Sequence, residues 1–222
     1  MTAGLRFRDR TDGGRRLAEA LTQYREERPL VVGVLRGGAV IAAEVAGQLG
    51  AEMDVIGVRK IAGPAMRELA LGAVAADGTR LLNDDIIAEM GIAPAYVEGE
   101  AELGQAAAHR QEQYLRGEHH MARVKDRTVI VVDDGAATGA TMRTALRSLA
   151  KKGPAKLVAA IPVASGEALQ AIVGEGAKVV CLAQPAALGS VGEYYEQFEP
   201  VTDSEAAEIL RREYRRREAG RS

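Results

Sequence analysis

The stretch from Val129 to Met142, VIVVDDGAATGATM, constrains the fold more than any other part of the chain. Its first four residues form an unbroken apolar β-branched run, which predicts a strand covered on both faces, as in a parallel sheet. Asp133 and Asp134 fall at the carboxyl end of that strand, where open α/β sheets place their ligands. The stretch therefore predicts both an α/β fold and the position of a binding site.

A loop of small residues follows the acidic pair, so its backbone N–H groups can approach an anion closely. The helical pattern from Met142 to Lys152 places a helix N-terminus behind the loop, and the helix dipole favours phosphate there. The two carboxylates suit sugar hydroxyls or waters on a divalent cation. An ordinary strand, turn and helix with a polar loop is the alternative. The loop consists of Gly135, Ala136, Ala137, Thr138, Gly139, Ala140 and Thr141.

Across these residues the sequence resembles the type I phosphoribosyltransferases, which share a hydrophobic strand, two acidic residues, a short Gly/Ala/Thr loop and a helix. The resemblance implies that Asp133 and Asp134 are the catalytic carboxylates and hold the ribose hydroxyls of 5-phosphoribosyl 1-diphosphate. It implies that residues 135–141 wrap the 5-phosphate of that donor. It also implies a Mg²⁺ cofactor that the same two carboxylates reach directly or through water.

A second segment repeats this pattern near the N-terminus, with a strand from Leu30 to Leu35 and a helix from Ala39 to Leu49. The loop between them contains Arg36, Gly37 and Gly38. By itself the segment also fits a plain strand-to-helix turn. The resemblance implies that it is the pyrophosphate-binding loop, with a non-proline cis peptide bond adjacent to Arg36.

A third strand is expected from Asp54 to Val58, with Arg59 and Lys60 at its carboxyl end. Two cations at that position suit a leaving pyrophosphate, although a solvated strand end is the alternative. The following residues, Ile61 to Leu71, contain Gly and Pro and break both helical and strand periodicity. In the resemblance they are the loop that closes over the reacting centre, which makes Glu68 a candidate general acid or base.

The alternation of strands and helices along the chain predicts a mostly parallel, twisted sheet flanked by helices. We expect one phosphoribosyltransferase domain over residues 1–222, with a core at about 28–183 and a small hood at about 184–217. Residues 183–203, called the hood segment below, contain Tyr194, Tyr195 and Phe198, three of the eight aromatic residues of the chain.

The resemblance implies that the hood segment covers the acceptor, with Val163, Leu188 and Tyr194 at the acceptor site. The alternative is that its aromatic residues fasten a loop to the core. The sequence of the hood segment is similar to that of the 6-oxopurine phosphoribosyltransferases. Those enzymes, however, carry an aspartate in the phosphate loop at the position of Ala137, and an aromatic residue that stacks on the base at the position of Leu188. The acceptor base is therefore unassigned.

Composition sets wider limits. With 29 basic and 31 acidic side chains and a net charge of −2, the chain does not favour nucleic acid as a partner. No apolar stretch is long enough for a signal peptide or a membrane span. The single Cys181 excludes an internal disulfide and fits a reducing cytoplasm, where we expect the protein.

Nearly the whole chain is similar to a bacterial group of stand-alone phosphoribosyltransferase-domain proteins that share FRDR, LRGG, VRK, LALGAV and VDDGAATGAT. The resemblance implies an enzyme of nucleotide salvage that moves 5-phosphoribose to a nitrogenous base, releases pyrophosphate, and forms a homodimer. The alternative function is a regulatory sensor of that donor or of a nucleotide, which keeps the fold and binds RNA or DNA through a basic surface. A third is a hydrolase, or a subunit that completes the active site of another protein. The candidate surface is Arg211, Arg212, Arg215, Arg216 and Arg217.

Overall fold

A computed structural model describes residues 5–64 and 70–219. Within these ranges the strands are β1 (Leu30–Val34), β2 (Glu52–Ile56), β3 (Val58–Ala62), β4 (Ala70–Ala75), β5 (Arg80–Leu82), β6 (Thr128–Val132), β7 (Lys156–Val163) and β8 (Lys178–Ala183). The helices are α1 (Arg10–Ala20), α2 (Gly37–Leu49), α3 (Asp84–Glu89), α4 (Pro94–Arg116), α5 (Ala140–Ala150), α6 (Gly166–Val173) and α7 (Asp203–Ala219). Short 3₁₀ turns cover Thr22–Glu27 and Val191–Tyr194.

Five strands form a parallel sheet in the order β2-β1-β6-β7-β8, which confirms the expected fold class. The strand order reverses between β1 and β6, where Gly33 pairs with Val132. A crevice opens at such a reversal because the connections on either side leave toward opposite faces of the sheet. The topology therefore places the two loops singled out in the sequence side by side.

The sheet is buried on both faces, as the run of β-branched residues in β6 predicts. Val31, Ile130 and Val132 face a core formed with α1, α2 and α7. Val129 and Val131 face a second core formed with α5 and α6. Alternate residues of a strand point to opposite faces of the sheet. A strand that is covered on both faces therefore carries apolar side chains at successive positions.

A separate antiparallel sheet contains β3, β4 and β5, and this corrects two expectations. The predicted strand Asp54 to Val58 is two strands that separate at the buried Gly57. A Cβ atom on Gly57 would lie 2.9 Å from the Ala108 carbonyl oxygen, so glycine lets the chain pass close to α4 as it changes sheets. Arg59 and Lys60 thus lie inside β3 rather than at the end of a parallel strand.

The predicted closing loop, residues 61–71, is also shorter than expected. Its ends belong to the antiparallel sheet, where Ile61 pairs with Gly72 and Ala62 with Ala70. Glu68, the candidate acid or base, lies outside the described residues.

The amphipathic pattern from Arg15 to Arg25 predicts a first helix there, but α1 begins earlier, at Arg10, and ends at Ala20. The cause is an N-cap that the pattern does not reveal, because the Asp9 carboxylate accepts the Asp12 amide at 2.7 Å. The sequence also predicts an N-cap at Ser165 and a capping box of Thr202 with Glu205, and the structure confirms both: Ser165 Oγ accepts the Ala168 amide, and the Thr202 and Glu205 side chains each accept the amide of the other residue.

No helix within residues 5–64 and 70–219 combines the length and the apolar character that a bilayer crossing requires.

Candidate active site

The loop after β1 and the loop after β6 touch at the switch point of the sheet. A Cβ atom on Gly38 would lie 2.6 Å from the Val132 carbonyl oxygen, and one on Gly37 would collide with the Asp134 carboxylate. Only glycine fits such a close approach between two backbones. The peptide bond between Leu35 and Arg36 is cis, as the resemblance implies.

A cavity of about 660 Å³ opens at this junction. It brings together most of the residues expected to bind the donor, although they come from three separate parts of the chain. Its walls include Arg36, Gly37, Arg59, Lys60, Asp133, Asp134, Gly135, Ala136, Ala137, Thr138, Gly139, Ala140 and Thr141. Gly38 does not line it, because this residue is buried against β6.

The acidic pair forms the floor of the cavity. The Asp133 carboxylate accepts the Asp134 amide at 2.9 Å and has no ion pair among the described residues. Burial is the larger of two causes that raise the pKa of Asp133 well above its usual range, and the charge of Asp134 is the second. Burial also raises the pKa of Asp134, and the neighbouring Arg10 opposes this rise. The site therefore holds a carboxylate that lacks a cation of its own, which is suited to accept hydrogen bonds or to reach a metal.

Arg10 is a site residue that sequence analysis missed. Its Nε lies 2.8 Å from Asp134 Oδ2, and its Nη1 donates to the Glu199 carbonyl at 2.7 Å. Its guanidinium lies 3.8 Å from the centre of the Phe198 ring. The FRDR motif at residues 7–10 was the only sequence signal for Arg10. No local pattern links the first helix to an acidic pair more than a hundred residues away.

The backbone around Asp134 is held by the aromatic residues of the hood segment. The Tyr195 hydroxyl donates to the Asp134 carbonyl at 2.6 Å, and the Tyr195 ring packs against Phe7 and Phe198. Phe7 donates its amide to the Tyr194 carbonyl at 2.8 Å and accepts the Glu196 amide at 2.9 Å. The segment before α1 and the hood segment thus form one support beneath the acidic pair.

The loop of small residues is anchored at its start and open at its middle. The Ala136 amide donates to the Val163 carbonyl at 3.0 Å, and Ser165 Oγ donates to the Ala137 carbonyl at 2.6 Å. Ala137 and Thr138 are exposed, and their amides donate to no group among the described residues. Together with the start of α5 at Ala140, these free donors form a concave surface suited to an anion.

The cationic wall of the cavity contains Arg36, Arg59 and Lys60. Arg36 and Lys60 are exposed, and Arg36 lies 3.6 Å from Asp203 of α7. The Nε of Arg59 is buried and has no hydrogen-bond partner among the described residues. A buried guanidinium nitrogen without an acceptor favours the arrival of an anionic ligand.

The structure does not bring the expected acceptor residues to the cavity. Val163 has no exposed surface and packs with Phe7 and Tyr195, so its side chain is part of the core. Leu188 and Tyr194 are half-buried around the same core and do not line the cavity. Their places are taken by Val191 and Phe198, which do line it. The sequence could not distinguish these neighbours because the hood segment has little regular structure to fix which side chains point inward.

Known proteins share both the sequence and the fold that build this cavity. A family model described as the phosphoribosyl transferase domain matches residues 7–182. Two Mycobacterium tuberculosis proteins, from two strains, are each 37% identical over 210 residues, which is 94% of this chain. The activity in their names, phosphoribosyl transferase, is an inferred one. This chain spans about half of their length, 47%.

A crystal structure of a Thermus thermophilus protein is 42% identical with a TM-score of 0.76, and the match covers 92% of this chain and 97% of that chain. The family match includes the acidic pair and both loops, and it ends before the hood segment. On the extent of these matches, the chain belongs to the phosphoribosyl transferase domain family.

Proposed function

We propose that this protein is a phosphoribosyltransferase that moves 5-phosphoribose from 5-phosphoribosyl 1-diphosphate to a nitrogenous base or related acceptor. The observation that carries the proposal is one cavity lined by an acidic pair, a loop of open amides and basic side chains. The donor carries a sugar diol, a monophosphate and a diphosphate. The acidic pair, the loop amides and the basic side chains are complementary to these three groups. We place the reaction in nucleotide salvage.

In this proposal each wall acts on a different part of the donor. Asp133 and Asp134 accept hydrogen bonds from the ribose hydroxyls, and the amides of residues 135–141 bind the 5-phosphate. Arg36, Arg59 and Lys60 stabilise the negative charge that the departing pyrophosphate gains as its bond to C1 breaks. The acceptor nitrogen forms the new bond to C1, so the protein contributes positioning and charge stabilisation rather than a covalent intermediate.

The carboxylates also fit a Mg²⁺ ion. Protein sites for Mg²⁺ commonly provide one or two carboxylates and leave the other positions to water and substrate phosphates. Asp133 and Asp134 supply that number, and no group of three or more acidic, histidine or cysteine side chains gathers among the described residues to bind a metal without substrate. The ion would neutralise the diphosphate during its departure.

The hood segment would complete the acceptor side within a single domain. Val191 packs so closely on Gly135 that a Cβ atom there would collide with it, and Phe198 stacks on Arg10. These two side chains are therefore the ones that we expect an acceptor to touch. We keep Glu68 as the proposed acid or base on the closing loop.

A second candidate function is a sensor that binds the donor or a nucleotide without turnover. One contact favours it: Arg10 occupies Asp134 Oδ2 at 2.8 Å, so the acidic pair is partly engaged by the protein itself.

Pyrophosphate release from the donor with Mg²⁺, screened against purine, pyrimidine and amide acceptors, distinguishes the two. If the protein is a transferase, pyrophosphate release should depend on one class of acceptor. Calorimetric titration with the donor measures whether the binding site is intact. Tight donor binding without release under any acceptor would favour the sensor. Absence of donor binding would refute the transferase and a sensor of the donor.

A further inference from the structure

A second cavity opens at the amino-terminal edge of the parallel sheet, away from the candidate active site. Its volume is about 380 Å³, which lies within the range of small-molecule sites. The start of β2, the segment after α4 and the end of α7 form its walls, which include Glu52, His119, Arg123, Tyr214, Arg217 and Glu218. The five residues of β2 span about 16 Å, and among the described residues the two cavities share no lining residue. The second cavity is therefore a separate site.

One wall of the second cavity is a pair of packed aromatic rings. The centroids of the His119 and Tyr214 rings lie 4.0 Å apart, with an angle of 33° between the ring planes. Tyr214 is only 6% exposed, whereas His119 is exposed to solvent. The imidazole therefore covers the tyrosine and keeps surface of its own, on which a further planar ring can stack.

The hydroxyl of Tyr214 is a polar group that the fold leaves unused. It is buried and has no hydrogen-bond partner among the described residues. A buried hydroxyl without a partner costs free energy, so packing alone would favour phenylalanine at this position. The exposed His119 side chain can shift, and a ligand that enters the cavity then supplies the missing acceptor.

Charged side chains surround the two rings. Glu52 accepts Arg127 at 2.6 Å and Arg217 at 2.5 Å, so two guanidinium groups compensate its charge. The Arg123 side chain is 72% exposed, and its partner Asp126 is 69% exposed and does not line the cavity. An exposed pair of this kind contributes little stability, so Arg123 is available to an anionic ligand such as a phosphate.

We propose that the second cavity binds a nucleoside 5′-phosphate. The base stacks on His119, and an acceptor atom of the ligand receives the Tyr214 hydroxyl. The N–H groups of the base donate to the carboxylates of Glu52 and Glu218, each of which has lone pairs for more than one donor. The phosphate binds Arg123. Since none of these residues lines the active-site cavity, the site is independent of the proposed transferase activity.

Titration of the full chain with the 5′-monophosphates of adenosine, guanosine, cytidine and uridine, followed by NMR of the histidine rings, tests the proposal. The His119 ring signals should shift saturably with at least one of the four nucleotides. His109 is the internal control, because it is exposed on α4 and does not line the cavity, and its signals should stay in place. Ribose 5-phosphate lacks the base and should bind at least about tenfold more weakly.

Two variants give the sharper readout, with the dissociation constant taken from the His119 shifts. Arg123→Glu should raise it at least about tenfold, whereas Arg110→Glu, a change at an exposed arginine outside the cavity, should leave it unchanged. Tyr214→Phe should weaken binding without lowering the free energy of unfolding, because the lost hydroxyl has no partner in the fold. An unmoved His119 signal with all four nucleotides, equally tight binding of ribose 5-phosphate, or a dissociation constant unchanged by Arg123→Glu or by Tyr214→Phe would overturn the proposal. A failure of donor binding at the active site would alter none of these outcomes.

Discussion

At the residue scale, Asp133 is half-buried beside a second carboxylate, and desolvation and the neighbouring charge both raise its pKa. A raised pKa in the folded state means that the folded chain binds the proton more tightly than the unfolded chain does. Ionised Asp133 therefore costs stability at neutral pH, and this cost disappears as the pH falls below its ordinary value of 3.8.

We accordingly predict that Asp133→Asn stabilises the ligand-free protein at pH 7.5 and gives no gain near pH 4. A gain of about 1 kcal/mol would raise Tm by about 2–4 °C in a chain of this size. Scanning calorimetry at several pH values measures it, with the exposed Asp126→Asn as the control. A lower Tm for Asp133→Asn at pH 7.5 would contradict the account.

Arg10 affects the other carboxylate in the opposite direction. Its positive charge opposes the rise that burial causes in the pKa of Asp134, so Arg10→Gln should raise that pKa further. If ionised Asp134 binds the donor, the pH below which donor binding weakens should move upward in this variant. Calorimetric titration between pH 5 and 8 measures it, and Arg8→Gln is the control because Arg8 is exposed and pairs with Asp9. An unchanged pH profile would exclude the role of Arg10.

The same residues show what a sequence can reveal at this scale. Asp133, Asp134 and their loop are contiguous, so one strand-loop-helix pattern was enough to locate them. Arg10, Val191 and Phe198 reach the cavity from both ends of the described chain. Their contacts depend on tertiary packing, which the periodicity of the local sequence does not reveal.

At the element scale, the antiparallel sheet is where the sequence pattern was least informative. Gly57 separates two apolar segments by one residue, so the periodicity of β2 runs into that of β3 without a visible break. The amide of Gly57 donates to Glu112 of α4 at 2.7 Å, and this contact, distant in sequence, redirects the chain. Arg59 and Lys60 line the cavity, but they lie within the antiparallel strand β3 rather than at the end of a parallel strand.

A buried ionic network joins α4 to β2 near that break. Arg116 Nε donates to Asp54 Oδ1 at 2.9 Å, and its Nη2 donates to the Val55 carbonyl at 2.5 Å. The Ala122 amide donates to the second Asp54 oxygen at 2.6 Å. The network ties the long helix to the edge of the parallel sheet.

We predict that Asp54→Ala lowers the free energy of unfolding by about 3 kcal/mol, because it removes one of the two carboxylates that pair with the buried Arg116 and leaves the Ala122 amide without its acceptor. Urea denaturation measures the change. Glu98→Ala is the control, since it removes only an exposed pair with Arg80 from within α4, and should have little effect. Equal effects of the two variants would show that the network does not stabilise the fold.

At the scale of the whole molecule, the strand order creates the site. Sequence alone predicted a mostly parallel sheet, but it did not show that β1 and β6 are neighbours at the reversal. That adjacency unites two loops that are about a hundred residues apart in the chain, and the antiparallel sheet adds the cations from outside the main sheet.

If this cavity transfers phosphoribose, the first comparison to make is acceptor-dependent pyrophosphate release by the wild type and by the Asp133→Asn/Asp134→Asn double variant. Release with the best acceptor should fall to background in the double variant, while circular dichroism shows an intact fold. Wild-type rates of release in the double variant would contradict this role of the cavity.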